Sequence, residues 1–209
     1  MSEIVIIDYG MGNLRSAQKA FEKVGFSARL SSDPQVVAGA DKLVLPGVGA
    51  FRDCIRNLRE GGFVEPILAH VAAGRPLLGI CVGLQLLFSE SEEFGRHQGL
   101  GIIPGKVVRF PAGMRSGGEE LKVPHMGWNT LSIRRPSPIL TGIAEQSFVY
   151  FVHSYYAVPD DPQLVAAETT YGDVTFCASV WKDNVMATQF HPEKSQAVGL
   201  EIVRNFGKL

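Results

Sequence analysis

Four short apolar runs alternate with helical patterns over the first 80 residues, and this alternation constrains the fold more than any other feature. Glu3 to Asp8, Phe26 to Leu30, Asp41 to Leu45 and Pro76 to Ile80 each read as a buried strand. Asn13 to Val24 carries Leu14, Ala17, Ala20, Phe21 and Val24 at helical spacing and stops at Gly25. Further helical patterns span Phe51 to Arg59 and Phe63 to Ala73, with Gly74 as the stop. Strands apolar along their whole length need cover on both faces, and helical crossovers supply it. The expectation is an α/β fold with a mostly parallel central sheet and helices on both faces.

Beyond Cys81, Val82 to Glu90 reads as another helix. Past Gly99 the pattern changes to strands: Lys106 to Phe110, Trp128 to Ile133, Ser147 to Val158, Leu164 to Thr169, Thr175 to Trp181 and Val185 to Phe190. Tyr171-Gly172-Asp173 and Lys182-Asp183-Asn184 read as hairpin turns, so this half adds antiparallel strands. Pro111 to Glu120, rich in Gly and charge, reads as a mobile loop, and Ser195 to Phe206 as a closing helix. No repeat or linker divides the chain, and we expect one domain over residues 1–209.

Composition narrows the function classes. The net charge of −1 carries no footprint for nucleic acid or an anionic membrane. No apolar run reaches the length of a membrane span, and MSEIVIIDYG lacks the basic region and cleavage site of a secretion signal. Cys54, Cys81 and Cys177 are an odd set without metal-like spacing, which points to a reducing cytoplasm. No pair of histidines has zinc spacing, so no metal is expected.

Of the three thiols, Cys81 has a context. Gly79-Ile80-Cys81-Val82-Gly83 lies between an apolar strand and a helix, the arrangement of a nucleophile elbow. So sharp a turn needs glycine on both sides. It lifts the sulfur above the carboxyl edge of the sheet, where α/β folds bind ligands. The helix N-terminus favours a negative sulfur, and the Val82 N–H is left to stabilise an oxyanion. Most cysteines are small core residues, and Cys54 and Cys177 read that way.

A cysteine nucleophile for acyl chemistry wants a histidine, itself held by a third group. His191 ends an apolar strand in Gln189-Phe190-His191-Pro192-Glu193. In an extended segment His191 and Glu193 project to one side, so Glu193 can orient the ring. His153 also ends a strand and reads as a pocket wall. His125 falls in a loop, and His70 and His97 read as surface residues. Pro46-Gly47-Val48-Gly49 ends another strand and can turn an N–H toward the same place, although most such loops are only turns. It matches no phosphate-binding fingerprint.

Taken together, GICVGLQ (Gly79 to Gln85), HPEKS (His191 to Ser195) and PGVGAF (Pro46 to Phe51) resemble the class I, triad-type glutamine amidotransferases. DYGMGNL (Asp8 to Leu14), PHMGWN (Pro124 to Asn129) and FVHSYY (Phe151 to Tyr156) are similar to one branch of that family, the glutaminase subunits that serve a cyclase in histidine biosynthesis. Leu84 stands where anthranilate-type members usually carry His, and Pro111 to Glu120 is longer than the family pattern.

The resemblance implies glutamine as substrate, attack by Cys81, proton delivery by His191, a thioester and release of glutamate. It implies an oxyanion hole from the Val48 and Val82 amides, and glutamine held by Gly49, Gln85, Glu93, Ser154 and Tyr155. It implies no cofactor. A chain occupied with making ammonia has no phosphate motif left for an acceptor, so the acceptor belongs on another chain. The resemblance implies that this partner is a (β/α)8-barrel cyclase forming a heterodimer, with Asn13, Trp128 and Lys194 near the interface. Without it, Asn13 reads as a helix cap, Trp128 as a core aromatic, Lys194 as a surface lysine and Glu93 as a solvated helix end. Two other classes remain: a cysteine-type α/β-hydrolase, which normally places its acid well before its histidine, and a non-enzymatic scaffold or redox module. Ammonia release from glutamine separates the first, and tolerance of His191→Ala the second.

Overall fold

A computed structural model describes residues 3–209; Met1 and Ser2, which begin the segment expected to lack a secretion signal, lie outside the described residues. In chain order the first half forms β1 (Ile4–Ile7), α1 (Leu14–Lys23), β2 (Ala28–Ser31), α2 (Pro34–Gly39), β3 (Lys42–Gly47), α3 (Phe51–Glu60), α4 (Val64–Ala72), β4 (Leu77–Cys81) and α5 (Val82–Leu86). There follow β5 (Phe88–Ser91), β6 (His97–Gln98), β7 (Ile103–Arg109), β8 (Arg115–Ser116), β9 (Glu119–Glu120), β10 (His125–Thr130) and β11 (Ser132–Ile133). The chain closes with β12 (Phe148–His153), β13 (Tyr155–Pro159), β14 (Val165–Tyr171), β15 (Val174–Lys182), β16 (Val185–Thr188) and α6 (Gln196–Lys208).

The main sheet has the order β11-β14-β15-β16-β4-β3-β1-β2. From β2 to β16 all neighbours are parallel, and β15, β14 and β11 extend the sheet antiparallel. The α/β class, the parallel centre and the antiparallel additions are as the sequence predicts. β1, β3, β4 and β16 are buried along their whole length, as their mostly apolar sequences require. Phe21 of α1 packs edge-on against Phe206 of α6, with ring centroids 6.1 Å apart. Burying one such ring contributes roughly 1.5–3 kcal/mol.

One topological step builds the site. The chain returns from the antiparallel region to insert β16 beside β4, with Thr188 opposite Ile80. On the other side of β4, Gly47 of β3 stands opposite Cys81. The segments leaving β3, β4 and β16 therefore emerge side by side at one sheet edge.

Several sequence expectations need correction. The helix expected over Val82 to Glu90 stops at Leu86, and Phe88–Ser91 is a strand paired with β7. Leu84, Leu86, Leu87 and Phe88 are all fully buried, so no polar face marks a helical period. The strand expected over Ser147 to Val158 breaks at Ser154: β12 pairs with β10 and β13 with β7. Trp128 to Ile133 is likewise two strands, β10 and β11, with β10 starting at His125. The loop at Pro111 to Glu120 contains the β8–β9 hairpin, turned by Gly117 and Gly118 at φ +59° and +89°. Helix α2 was not anticipated, although Asp33-Pro34 announces it: the Asp33 carboxylate accepts from the Gln35 N–H, and proline opens the helix. Both predicted hairpin turns join β14, β15 and β16. Among the described residues no helix is long and apolar enough to cross a membrane.

Candidate active site

Cys81 sits at the end of β4 with φ +56° and ψ −112°, a conformation that non-glycine residues avoid. Strain of this kind persists only where surrounding packing enforces it. Here the glycines allow close backbone approach. A methyl group added at Gly83 meets the Leu45 carbonyl oxygen at 1.8 Å, and one at Gly79 meets the Gly83 oxygen at 2.9 Å. A Cβ at Gly47 lies 2.8 Å from the Gly83 nitrogen, so β3 is pressed against the elbow as well.

His191 leaves β16 and lies beside the elbow, 2% exposed against 4% for Cys81. Its Nδ1 lies 2.7 Å from Glu193 Oε1. The link is not the extended one expected: Pro192–Lys194 is a single 3-10 turn, and it brings the carboxylate round onto the ring. Ser195, which the sequence reading passed over, fastens this turn. Its hydroxyl donates to the His191 carbonyl at 2.6 Å and accepts from the Tyr150 N–H at 3.0 Å. The His191 N–H donates to the Tyr150 carbonyl at 3.0 Å. Burial works against charge on the ring, but interaction with the Cys81 sulfur and with the Glu193 carboxylate outweighs it and raises the pKa to about 10.

Cys81 and His191 open on a cavity of ≈ 320 Å³, within the usual range for small-ligand sites. Val48, Gly49, Val82, Gln85, Glu93, Ser154 and Tyr155 line it, together with Pro124, Val152 and His153. Glu193 stands behind His191 in a separate crevice that also contains Asn13. The Glu93 carboxylate is half-buried and accepts from the Phe51 N–H at 2.6 Å, so it is no solvated helix end. Burial raises its pKa and that hydrogen bond lowers it, with the rise prevailing. No acceptor among the described residues takes the Val48 N–H.

Gln189 was missed. It is fully buried and donates Nε2 to the Cys81 sulfur at 3.8 Å. Its Oε1 accepts from Gln85 Nε2 at 3.1 Å. The available signal was its place on the strand that leads to His191, two residues before it.

Histidines expected at the surface or in a loop are placed differently. His70 is fully buried with Nε2 2.9 Å from the Pro76 carbonyl, and His125 is buried in β10. His153 Nδ1 bonds the Tyr155 carbonyl at 2.9 Å, so it carries the proton. Its Nε2 then accepts from His125 Nδ1 at 3.2 Å, and His125 Nε2 accepts from Asn129 at 3.3 Å. Burial holds His153 down to about 3 and His125 to about 4, so both rings stay neutral, and His153 lines the cavity.

Of the residues expected near a partner, Trp128 is 45% exposed and is not a core aromatic. Its ring meets Tyr150 at 5.9 Å, and Lys194 Nζ stands 5.9 Å from the same Tyr150 ring. Met126 and Phe148, 63% and 59% exposed, extend this surface along β10 and β12. Asn13 precedes α1, but its side chain makes no capping hydrogen bond.

The family described as Glutamine amidotransferase class-I matches residues 5–208. The imidazole glycerol phosphate synthase subunit HisH of Syntrophotalea carbinolica is 71% identical, covering 99% of this chain and 100% of its own. The HisH subunit of Geobacter sulfurreducens is 66% identical, with both chains covered in full. Among solved structures, PurLQS from Thermotoga maritima matches with a TM-score of 0.71 at 19% identity, covering 100% of this chain and 97% of that one. The glutaminase domain of Trypanosoma brucei CTPS matches with a TM-score of 0.66 at 16% identity, covering 100% and 94%. These two likenesses concern the fold alone.

Proposed function

The chain belongs to the class I glutamine amidotransferase family, and from that premise we propose that it is the glutaminase subunit of an imidazole glycerol phosphate synthase. It hydrolyses glutamine to glutamate and ammonia. The observation that carries the chemistry is the meeting of Cys81 and His191 at the cavity beside three strand ends, with Glu193 behind the His191 ring.

Cys81 Sγ attacks the side-chain amide carbon of glutamine. The carbonyl oxygen becomes an oxyanion, held by the N–H groups of Val48 and Val82. The Glu193 carboxylate stabilises a positive ring on His191, which gives its proton to the leaving ammonia. The C–N bond breaks and a thioester remains. Water, deprotonated by His191, attacks the thioester and releases glutamate and the Cys81 sulfur. Glu93 suits the substrate ammonium by charge, and Gly49, Gln85, Ser154 and Tyr155 hold the rest of the glutamine.

The ammonia serves a partner, the (β/α)8-barrel cyclase HisF, in a heterodimer. There it is incorporated to give imidazole glycerol phosphate and an aminoimidazole carboxamide ribonucleotide in histidine biosynthesis. The exposed apolar surface of Met126, Trp128 and Phe148, with Lys194 on the Tyr150 ring that Trp128 also meets, supports docking on this side. Three free, buried thiols suit the reducing cytoplasm.

The test is product formation by the two chains with glutamine or with added ammonia. Cys81→Ala removes the glutamine-dependent reaction and leaves the ammonia-dependent one. Glutamine-driven turnover in that variant refutes the proposal. The chain alone is expected to be a poor glutaminase, since free ammonia would be wasted; rapid turnover without the cyclase contradicts this.

A further inference from the structure

Two side chains outside the cavity hold the segment that borders it. Tyr9 Oη donates to the Pro46 carbonyl at 2.6 Å, and Cys54 Sγ donates to the Val48 carbonyl at 3.4 Å. Both residues are buried, and their side chains also interact with each other. They come from separate elements: Tyr9 follows β1, and Cys54 belongs to α3. Asn57, one turn further along α3, donates to the Tyr9 carbonyl at 3.2 Å and ties the two together.

We infer that Tyr9 and Cys54 are positioning residues that set the direction of the peptide groups in Pro46–Gly49, and through them the stabilisation of the oxyanion. This rests on the reading in which the Val48 N–H serves that oxyanion. A trans peptide is planar, with its C=O and N–H on opposite sides. Holding the Pro46 and Val48 carbonyls therefore fixes two peptide planes and turns the Gly49 N–H away from Cys54. The peptide between them, which carries the Val48 N–H, has no side-chain hydrogen bond among the described residues. Glycine stands on either side of Val48, with Gly49 at φ +87°. Glycine resists rotation little, so the orientation of this peptide depends on its two anchored neighbours together with the pairing of Gly47 opposite Cys81 at the end of β3.

Both anchors suit a permanent donor. Burial pushes the Cys54 thiol up to about 11 and the Tyr9 hydroxyl well above its ordinary range. Each keeps its proton at neutral pH and has a carbonyl to give it to. Gly47 leaves room for the arrangement, since a Cβ there lies 2.9 Å from Tyr9 Oη.

The experiment compares Tyr9→Phe, Cys54→Ala and Cys54→Ser in the full chain, with the cyclase present. Glutamine turnover and alkylation of Cys81 by iodoacetamide are both measured, because alkylation forms no oxyanion. Tyr9→Phe and Cys54→Ala are expected to lower kcat roughly ten-fold or more, with KM within about two-fold and alkylation unchanged. Cys54→Ser, which keeps a hydroxyl donor on a shorter bond, recovers part of kcat. Unchanged kcat in both Tyr9→Phe and Cys54→Ala overturns the inference. So does an equal fall in kcat and alkylation, or a Cys54→Ser variant as slow as Cys54→Ala. Cys81→Ala is assayed alongside: turnover surviving there removes the underlying mechanism. A dead Cys81→Ala beside unimpaired Tyr9→Phe and Cys54→Ala removes only the anchoring role.

Discussion

Gln189 donates its side-chain amide to the sulfur of Cys81 across 3.8 Å, from a position with no exposure to solvent. The same amide is held by Gln85, which also donates to the Tyr155 carbonyl at 3.0 Å. A run of buried amides thus links the start of β13 to the candidate nucleophile. A neighbouring N–H favours negative charge on sulfur and limits where the sulfur can move.

Gln189→Met keeps the length of the side chain and removes the donor. Hydrogen bonds to charged groups contribute about 1.5–3 kcal/mol, so kcat/KM for glutamine is expected to fall roughly ten-fold or more. Cys81 alkylation slows with it, unlike in the Tyr9 and Cys54 variants. Alkylation at the wild-type rate assigns Gln189 to packing only.

His191 carries a pH dependence with a definite sign. Burial opposes its charge, but Cys81 and Glu193 raise its folded pKa to about 10, against about 6.5 for an unfolded histidine. The folded state binds the proton more tightly, so this stabilisation is complete below pH about 6.5 and is lost as pH rises through about 10. The melting temperature should fall across that window, and His191→Asn should flatten the fall. A wild-type profile that stays level from pH 7 to 10 contradicts the assignment.

His125 and His153 act in the opposite direction. Burial lowers them to about 4 and about 3, so the unfolded chain takes up their protons first as the solution is acidified. Stability should therefore decline from pH about 6.5 downward, with a slope set by these two rings and by His70, also lowered by burial, before carboxylates contribute. NMR titration of the two rings is the direct check: a midpoint near 6.5 for His153 excludes the neutral chain described above.

Gly83→Ala tests the packing of the elbow. The new methyl meets backbone, the Leu45 oxygen at 1.8 Å, and cannot be relieved by a rotamer change. Urea unfolding should show a loss of about 3 kcal/mol or more. Gly74→Ala is the control: its φ is +72° but nothing lies within 4 Å, so only backbone strain of about 1–2 kcal/mol is expected. Equal losses at the two sites argue that the close approach of β3 to the elbow is not needed for stability.

Much of this was legible because periodicity survives wherever an element has a single environment. Three of the four apolar runs of the first half became β1, β3 and β4, whose burial on both faces demands apolar residues; the other became β2, with Arg29 exposed. The glycines around Cys81 announced a turn too tight for side chains. Legibility failed where one local pattern serves two environments. Ser147 to Val158 reads as a single strand, yet the chain changes sheets at Ser154. Val82 to Phe88 is apolar throughout, so nothing in it marks where α5 ends and β5 begins. His70 and His125 carry polar rings that suggest a surface or a loop, and each is buried with a ring nitrogen bonded, His70 to the Pro76 carbonyl and His125 to His153.

Cys81 and His191 stand 110 residues apart, and the sequence by itself determined what each is: a thiol at a glycine-flanked turn, and an imidazole at a strand end followed by Pro192 and Glu193. Local sterics and backbone preference suffice for that. Only the tertiary structure decided that they meet. The return of β16 to the edge of β4 depends on long-range strand pairing, which no local window contains. The same pairing brought the amide of Gln189 to the sulfur, and the pairing of β1 with β3 set Tyr9 beneath the carbonyl of Pro46. Those contacts join residues from separate elements, and they exist only once the sheet has closed around them.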